Sequence, residues 1–423
     1  MFWKKKPLWN DEDPQFRYYF GERDFQKNHL LADQLYWSIN RRQAQHNGHV
    51  FMLSGVHDAK HWMYSNILQA NSSYLIPDFG GEIYEDTHAY LESQGYKVHV
   101  LNLCDATKSL CYNPLLCMKQ NPYPHAADVH NLVGTLLHES TYPDDPFFRK
   151  AGEALITAIL HYMRDLPAEQ CTMETVISLL PKAVTRNTKW DGGVMASSNN
   201  PYVQQSLTVV KQAAGMILNQ AALCAAETLR LLYPLMYDAP VLDMSAMTSG
   251  KHAVYIITGN PQWHKSAIAM LYTQLMDVLY AAAEASEARQ LETPWLCFVD
   301  QWHWDMAKRL ATSPKYNIRF VLRYHDMAVL KHEYPQEWEC VYANCDALIY
   351  MNSTGRCDYE WVIQMLSKTL QISDKEDRVQ VARQAFDAIT PEECIIFTRG
   401  KTPFCLKKLD WTRHPKAGEI PTR

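Results

Sequence analysis

Residues 49–62, His-Val-Phe-Met-Leu-Ser-Gly-Val-His-Asp-Ala-Lys-His-Trp, read as an apolar strand that ends in a small turn and runs into a helix. This stretch constrains the fold more than any other, because in a phosphate-binding loop it is where the nucleotide sits. The pattern G-x-x-x-x-G-K-[ST] places glycines where the backbone turns tightly and aims N–H groups at phosphate. A lysine and a Mg²⁺-ligating hydroxyl follow. The aligned octet here is Ser54-Gly55-Val56-His57-Asp58-Ala59-Lys60-His61, and of the defining positions only Lys60 survives. Ser54 and Ala59 carry a Cβ where such a loop wants none. Asp58 brings a negative charge beside the place of the polyphosphate, and His61 replaces the oxygen ligand of a hard cation with a nitrogen. MgATP binding is expected to be weakened.

Beyond the turn, residues 57–70 should form a helix, 74–78 a buried strand, 83–94 a helix and 98–103 the next strand. Alternating strands and helices imply a parallel sheet with helices on its faces. From about residue 120 to 240 the strand signals stop, and apolar spacing of three and four recurs in 129–137, 154–163 and 207–232. That region reads as a helical insertion. The sheet resumes at 252–258, a long helix follows over 262–286, and Trp295-Leu-Cys-Phe-Val-Asp-Gln301 delivers Asp300 at the end of an apolar strand, the form of a Walker B motif. The expected organisation is a lead-in over 1–48, an α/β domain from 49–119 and 241–410, an all-α insertion over 120–240, and a flexible tail over 411–423. Within the lead-in, residues 30–42 suggest a helix.

Further stretches point to a family. Residues 74–87 (Tyr-Leu-Ile-Pro-Asp-Phe-Gly-Gly-Glu-Ile-Tyr-Glu-Asp-Thr) and 91–103 are followed in order by Cys111-Tyr-Asn-Pro114, Asp145-Pro-Phe-Phe-Arg-Lys150, Lys211-Gln-Ala-Ala-Gly215, Leu271-Tyr-Thr-Gln274, Asn344-Cys-Asp346 and Ile395-Ile-Phe-Thr-Arg-Gly400. In this order they resemble the TraG/TraD type IV coupling proteins, hexameric FtsK-like ATPases that bring DNA and protein substrates to a conjugative secretion channel. The resemblance implies a P-loop NTPase-like (RecA/FtsK-like) α/β fold, a mostly parallel sheet flanked by helices. It also implies that the insertion is the all-α domain that receives substrate.

The same resemblance exposes departures. The family's Asp-Pro-Lys-Gly-Glu has become Asp78-Phe-Gly-Gly-Glu82, and the glutamate that follows the Walker B aspartate is Gln301. An amide is a poor proton acceptor at neutral pH, so the base function should be lost. His325 stands where the family's sensor strand ends in a glutamine, and residues 312–317 offer Lys315 where many members carry an Arg-x-Arg that reaches a neighbouring subunit. No catalytic residue and no metal site are assigned. The nucleotide-binding positions Ser54, Gly55, Asp58, Ala59, Lys60, His61, Asp78 and Asp300 are read as vestigial.

Net charge is −5, which offers no global field to recruit nucleic acid, so any DNA contact needs a local patch or an oligomer channel. No run reaches the ~18 apolar residues of a membrane helix. The family's usual N-terminal anchor is not evident, and the chain is expected in the cytoplasm, touching the inner face of the membrane at most peripherally. Eleven cysteines without C-x-x-C spacing, among them Cys104, Cys297 and Cys394 in apolar stretches, read as buried free thiols in a reducing compartment. His57, His61, His303 and His325 could converge near the strand ends; simple hydrogen bonding explains them better than a metal. Trp302 and Trp304 are expected to fill the nucleotide cleft. The function expected is that of a non-hydrolysing structural or adaptor component of a conjugation system, engaging an active coupling protein, the relaxosome or a secreted substrate. An ATPase working through Lys60 and Asp300, and a DNA-binding module without ATP turnover, are the alternatives. A homo-oligomer is compatible with each.

Overall fold

The computed structural model describes residues 24–40, 46–121, 126–140, 146–182, 189–213, 215–235, 239–260, 264–300, 306–351, 355–370 and 372–421. They fall into two compact units, one drawn from residues 1–99, 249–256 and 290–423, the other from 100–248 and 257–289. A hairpin of β1 (Asn28–Ala32) and β2 (Leu35–Ser38) comes first. Then β3 (Val50–Ser54) leads into α1 (Val56–Ile67), and β4 (Ser73–Asp78) into α2 (Glu82–Ser93), followed by β5 (Lys97–Asn102). The second unit carries α3 (Ala126–Glu139), α4 (Pro146–Asp165), α5 (Pro201–Gln212) and α6 (Met216–Leu229). After β6 (His252–Ile257) it also takes α7 (Lys265–Ala285). The chain continues through β7 (Trp295–Asp300), β8 (Ile318–Tyr324), β9 (Ala347–Met351), α8 (Arg356–Lys368), α9 (Lys375–Asp387), β10 (Glu393–Thr398) and β11 (Phe404–Lys407).

The main sheet has the order β11-β10-β9-β3-β8-β7-β4-β6-β5. Strands β9, β3, β8, β7 and β4 pair in parallel, whereas β10 and β11 add an antiparallel edge. The parallel strands are near-continuous buried runs, as sheets covered on both faces require. Strand β8 lies between β3 and β7, so the C-terminal ends of β3, β8, β7 and β4 line up along one edge. There α/β sheets place their ligands. One face of this sheet packs Trp62 and Tyr64 of α1 and Ile83 of α2 against Met52, Phe298 and Val321.

Four expectations are corrected. The helix suggested over 30–42 is a β-hairpin in the residues described: Asp33-Gln34 make the turn, with Gln34 at φ 64°, and Leu30, Leu31, Leu35 and Trp37 are buried. The helix read through 207–232 breaks at Gly215, whose φ of 56° suits glycine, so α5 and α6 are separate. The segment after Trp411 is docked: Trp411 stacks on Tyr64 at 5.4 Å, the His414 ring meets Gln69 at 3.1 Å, and Ile420 is in the core. All eleven cysteines are free, and Cys297 and Cys394 are buried as expected, but Cys104, read as buried, is exposed, as are Cys340 and Cys357. Among the described residues α7 is long and apolar enough to cross a membrane, and most of it is buried.

The docked ends of the first unit hold histidines in neutral form. Burial, then the charge on Arg319, lowers His29 and His46 well below the usual range, and burial lowers His414 from 6.5 to about 4. A folded-state pKa below the unfolded one means that protons favour the unfolded chain. The contribution is therefore complete above pH 6.5 and is lost as pH falls towards 4. For His414 alone this is worth about 3 kcal/mol. Urea unfolding at pH 7.5 and pH 5 should show a lower midpoint in acid, with part of the difference removed by His414→Asn.

Candidate functional site

At the C-terminal edge of the sheet, the segment that aligns with a phosphate loop is helix. Strand β3 ends at Ser54, Gly55 alone makes the connection at φ −65° and ψ 163°, and α1 starts at Val56. Residues 56–61 are thus about one and two-thirds turns of helix. Ala59 N already donates to Gly55 O at 3.2 Å. Gly55 has no positive φ and nothing lies near its missing Cβ, so a glycine is not demanded there.

The side chains of the octet disperse. Lys60 Nζ pairs with Glu82 at the start of α2. Asp58 turns to Lys408, 2.6 Å away beyond β11, and does not line the cleft described below. The His61 ring lies tilted against that of His57 at 4.7 Å and faces Asp410 at 3.7 Å; burial is the first cause that lowers its pKa. The Ser54 hydroxyl is buried, and Ala59 sits on the buried face of α1. Asp78 is a turn-former: its carboxylate accepts from Gly81 N at 2.9 Å and Tyr84 N at 2.8 Å, bonds that restrain a pKa raised chiefly by burial.

Asp300 is held by a residue that the sequence reading passed over. Arg323, one residue before the end of β8 and in register with Asp300, donates from Nη1 to Asp300 Oδ1 at 2.8 Å. Its Nε and Nη2 donate to Ser54 O at 3.2 and 3.1 Å. One guanidinium therefore bridges the ends of β3 and β7 across β8, with 10% of its side chain exposed against 44% for Asp300. Desolvation raises the Asp300 carboxyl and Arg323 is the largest counterweight. A signal existed: Arg319 and Arg323 interrupt an otherwise apolar strand four residues apart, and a buried arginine must find acceptors.

Around this bridge lies a cleft of about 300 Å³. Met52, Val56, Trp62, Phe79, Phe298 and Val321 make its apolar walls. Its charged members are Lys60 and Arg323 against Asp78, Glu82 and Asp300, so carboxylates outnumber cations and both cations are paired. Val56 and Phe79 are exposed at 66% and 67%. His325 follows β8 and is exposed, while Lys315 precedes β8, at the opposite edge of the sheet, with its ammonium over the Tyr316 ring. Gln301, Trp302, His303 and Trp304 lie outside the described residues. Among the described residues no group of three or more His, Cys, Asp or Glu is arranged to hold a metal.

Residues 40–355 match the family model of the type IV secretory system conjugative DNA transfer proteins. The chain belongs to this family. No curated protein matches the sequence. Among solved structures, the conjugative coupling protein TrwBΔN70 with sulphate is similar at TM-score 0.62 and 11% identity, over 90% of this chain and 89% of that one. TrwB in complex with ADP and Mg²⁺ follows at 0.60 and 10%, over 90% and 89%. VirB4 of Thermoanaerobacter pseudethanolicus is similar at 0.51 and 13%, over 93% and 97%. At these identities the likeness is one of fold: this member of the conjugative DNA transfer family has the mostly parallel, helix-flanked sheet of the P-loop NTPases.

Proposed function

We propose that this chain is a non-hydrolysing member of the conjugative DNA transfer family, a structural or adaptor component at the cytoplasmic face of the membrane. It works beside an active coupling protein, the relaxosome or a secreted substrate, with its helical unit as the substrate-receiving counterpart of the family's all-α domain. The observation that carries this reading is that the octet aligned with the phosphate loop is helix from Val56 onward. A polyphosphate needs a ring of converging backbone N–H groups, and a helix spends those groups on its own carbonyls after the first turn. The Arg323–Asp300 pair supports it further, since it occupies the carboxylate that would serve Mg²⁺. An ATPase reading requires Lys60 to leave Glu82 and Asp300 to leave Arg323.

Calorimetric titration with MgATP tests the proposal. Wild type and Lys60→Ala are both expected to give no saturable heat up to millimolar nucleotide. Saturable binding in wild type that vanishes in Lys60→Ala overturns it.

A further inference from the structure

Among the described residues, every charged group that lines the cleft already has a partner. Lys60 is paired with Glu82 and Arg323 with Asp300, while Asp78 accepts from Gly81 N and Tyr84 N. An anion would have to part Lys60 or Arg323 from its carboxylate while facing the remaining acids. The N-termini of α1 and α2 carry Asp58, Glu82 and Glu85 in their first turns, so the negative charge that the helix dipoles favour is already supplied. A cation, in turn, finds no lining carboxylate without a counter-group. The cleft therefore selects an uncharged ligand. One polar contact stays open to it: Asp300 spends Oδ1 on Arg323, and with its side chain 44% exposed the other oxygen is left to accept from a donor.

The rest of the lining is apolar, and much of it is fixed in place. Trp62, whose Nε1 donates to Leu31 O at 3.0 Å, stands edge-on to Phe298 with ring centroids 6.2 Å apart. Tyr64 Oη donates to Asp86 Oδ2 at 2.5 Å and so ties α1 to α2, both of which supply lining residues. Walls set before a ligand arrives lower the cost of ordering them. Val56 and Phe79 line the same cleft yet leave about two-thirds of their surface in water. Apolar surface held in water beside an apolar cavity is what an apolar ligand covers. The cleft's volume of about 300 Å³ is that of about ten waters, room for one two-ring molecule. All of its lining residues belong to the first unit. We propose that the cleft binds a small uncharged aromatic molecule, two fused rings bearing an N–H or O–H donor for Asp300. The inference rests on the reading of the cleft as closed to nucleotide, because such a ligand needs Asp300 to stay with Arg323.

Calorimetric titration of the full chain with indole as the probe tests it. Saturable binding is expected, with a Kd of about 1 mM or tighter. Indole-3-acetate and tryptamine, the same rings carrying an anion or a cation, should bind about tenfold or more weakly. 1-Methylindole, which lacks the donor, should bind about threefold or more weakly. Phe79→Ser and Val56→Trp, both at exposed positions, should each weaken indole about fivefold, the first by removing a wall and the second by obstructing the opening. Ile177→Ser, at a likewise exposed apolar position of the second unit, should leave the affinity within about twofold of wild type. Circular dichroism checks that the variants fold, and the ligand series on wild type decides should one of them fail. Absence of saturable binding, indole-3-acetate or tryptamine binding as tightly as indole, unchanged affinity in both cleft variants, or an equal loss in Ile177→Ser overturns the proposal. If indole does not bind and MgATP gives no heat, this inference falls alone. Heat from MgATP that bound indole abolishes brings down the reading on which it rests as well.

Discussion

Asp300→Ala is expected to destabilise the first unit by about 2 kcal/mol, because it leaves a buried guanidinium without its carboxylate. The figure is kept below that of a fully buried pair, since nearly half of the Asp300 side chain is open to solvent. The sign is the informative part. A carboxylate reserved for a metal ion is an unneutralised charge in the empty protein, and its removal is commonly neutral or stabilising. A carboxylate that neutralises Arg323 behaves in the opposite way. Arg323→Met should cost a similar amount, through the lost bonds to Ser54 O and Asp300. The double variant should be little worse than either single one, giving a coupling of about 2 kcal/mol. Urea unfolding followed by tryptophan emission reads this cycle, since Trp37, Trp62 and Trp295 are all buried in the first unit. An unchanged or raised midpoint for Asp300→Ala would return Asp300 to the role of an available cation ligand.

The strands and helices of the sheet were legible because each rests on local pattern: buried runs such as Val50–Ser54 and Ile318–Tyr324, and apolar faces at helical spacing between them. The candidate site was legible only as a list of positions. Asp58 and His61 read as neighbours of a phosphate, yet their partners Lys408 and Asp410 lie some 350 residues later in the chain, where no local rule reaches. Where the turn ended and α1 began was equally hidden, since Val56-His57-Asp58 has no strong propensity to set the boundary. Arg323 was missed because attention fell on His325 at the strand's end. The pairing of strand ends across β8, which no spacing in the sequence displays, is what makes the arginine central. The N-terminal hairpin was misread because Leu30, Leu31, Leu35 and Trp37 fit a helical stripe as well as two short strands, and tertiary bonding decided between them.

That tertiary bonding predicts the other large effect. Helix α1 forms a wall of the cleft through Val56, Ala59, Trp62 and Met63, and it is tied to the N-terminal hairpin by polar groups of its C-terminal half and of the residues just after it. Asn66 is fully buried. Its Oδ1 accepts from Leu30 N at 2.8 Å, and its Nδ2 donates to Leu30 O at 3.0 Å and Trp62 O at 3.1 Å. Trp62 Nε1 donates to Leu31 O at 3.0 Å, and Gln69 Nε2 to Phe25 O and Asn28 O at 2.8 and 2.9 Å. The hairpin is therefore fastened to α1 as though the helix offered a further strand edge. Asn66→Ala strands the N–H and C=O of Leu30 in a dry interior, at a cost of about 3 kcal/mol. Amide exchange in β1 and β2 should quicken by about a hundredfold, while α3 to α7 of the second unit keep their protection. Gln69→Ala should have the smaller effect on the hairpin but should also loosen the segment around His414, whose ring meets Gln69 Oε1. If Asn66→Ala left hairpin exchange unchanged, packing of Leu31 and Trp37 alone would account for the docking of β1 and β2. The position of the cleft wall would then not depend on the N-terminal segment.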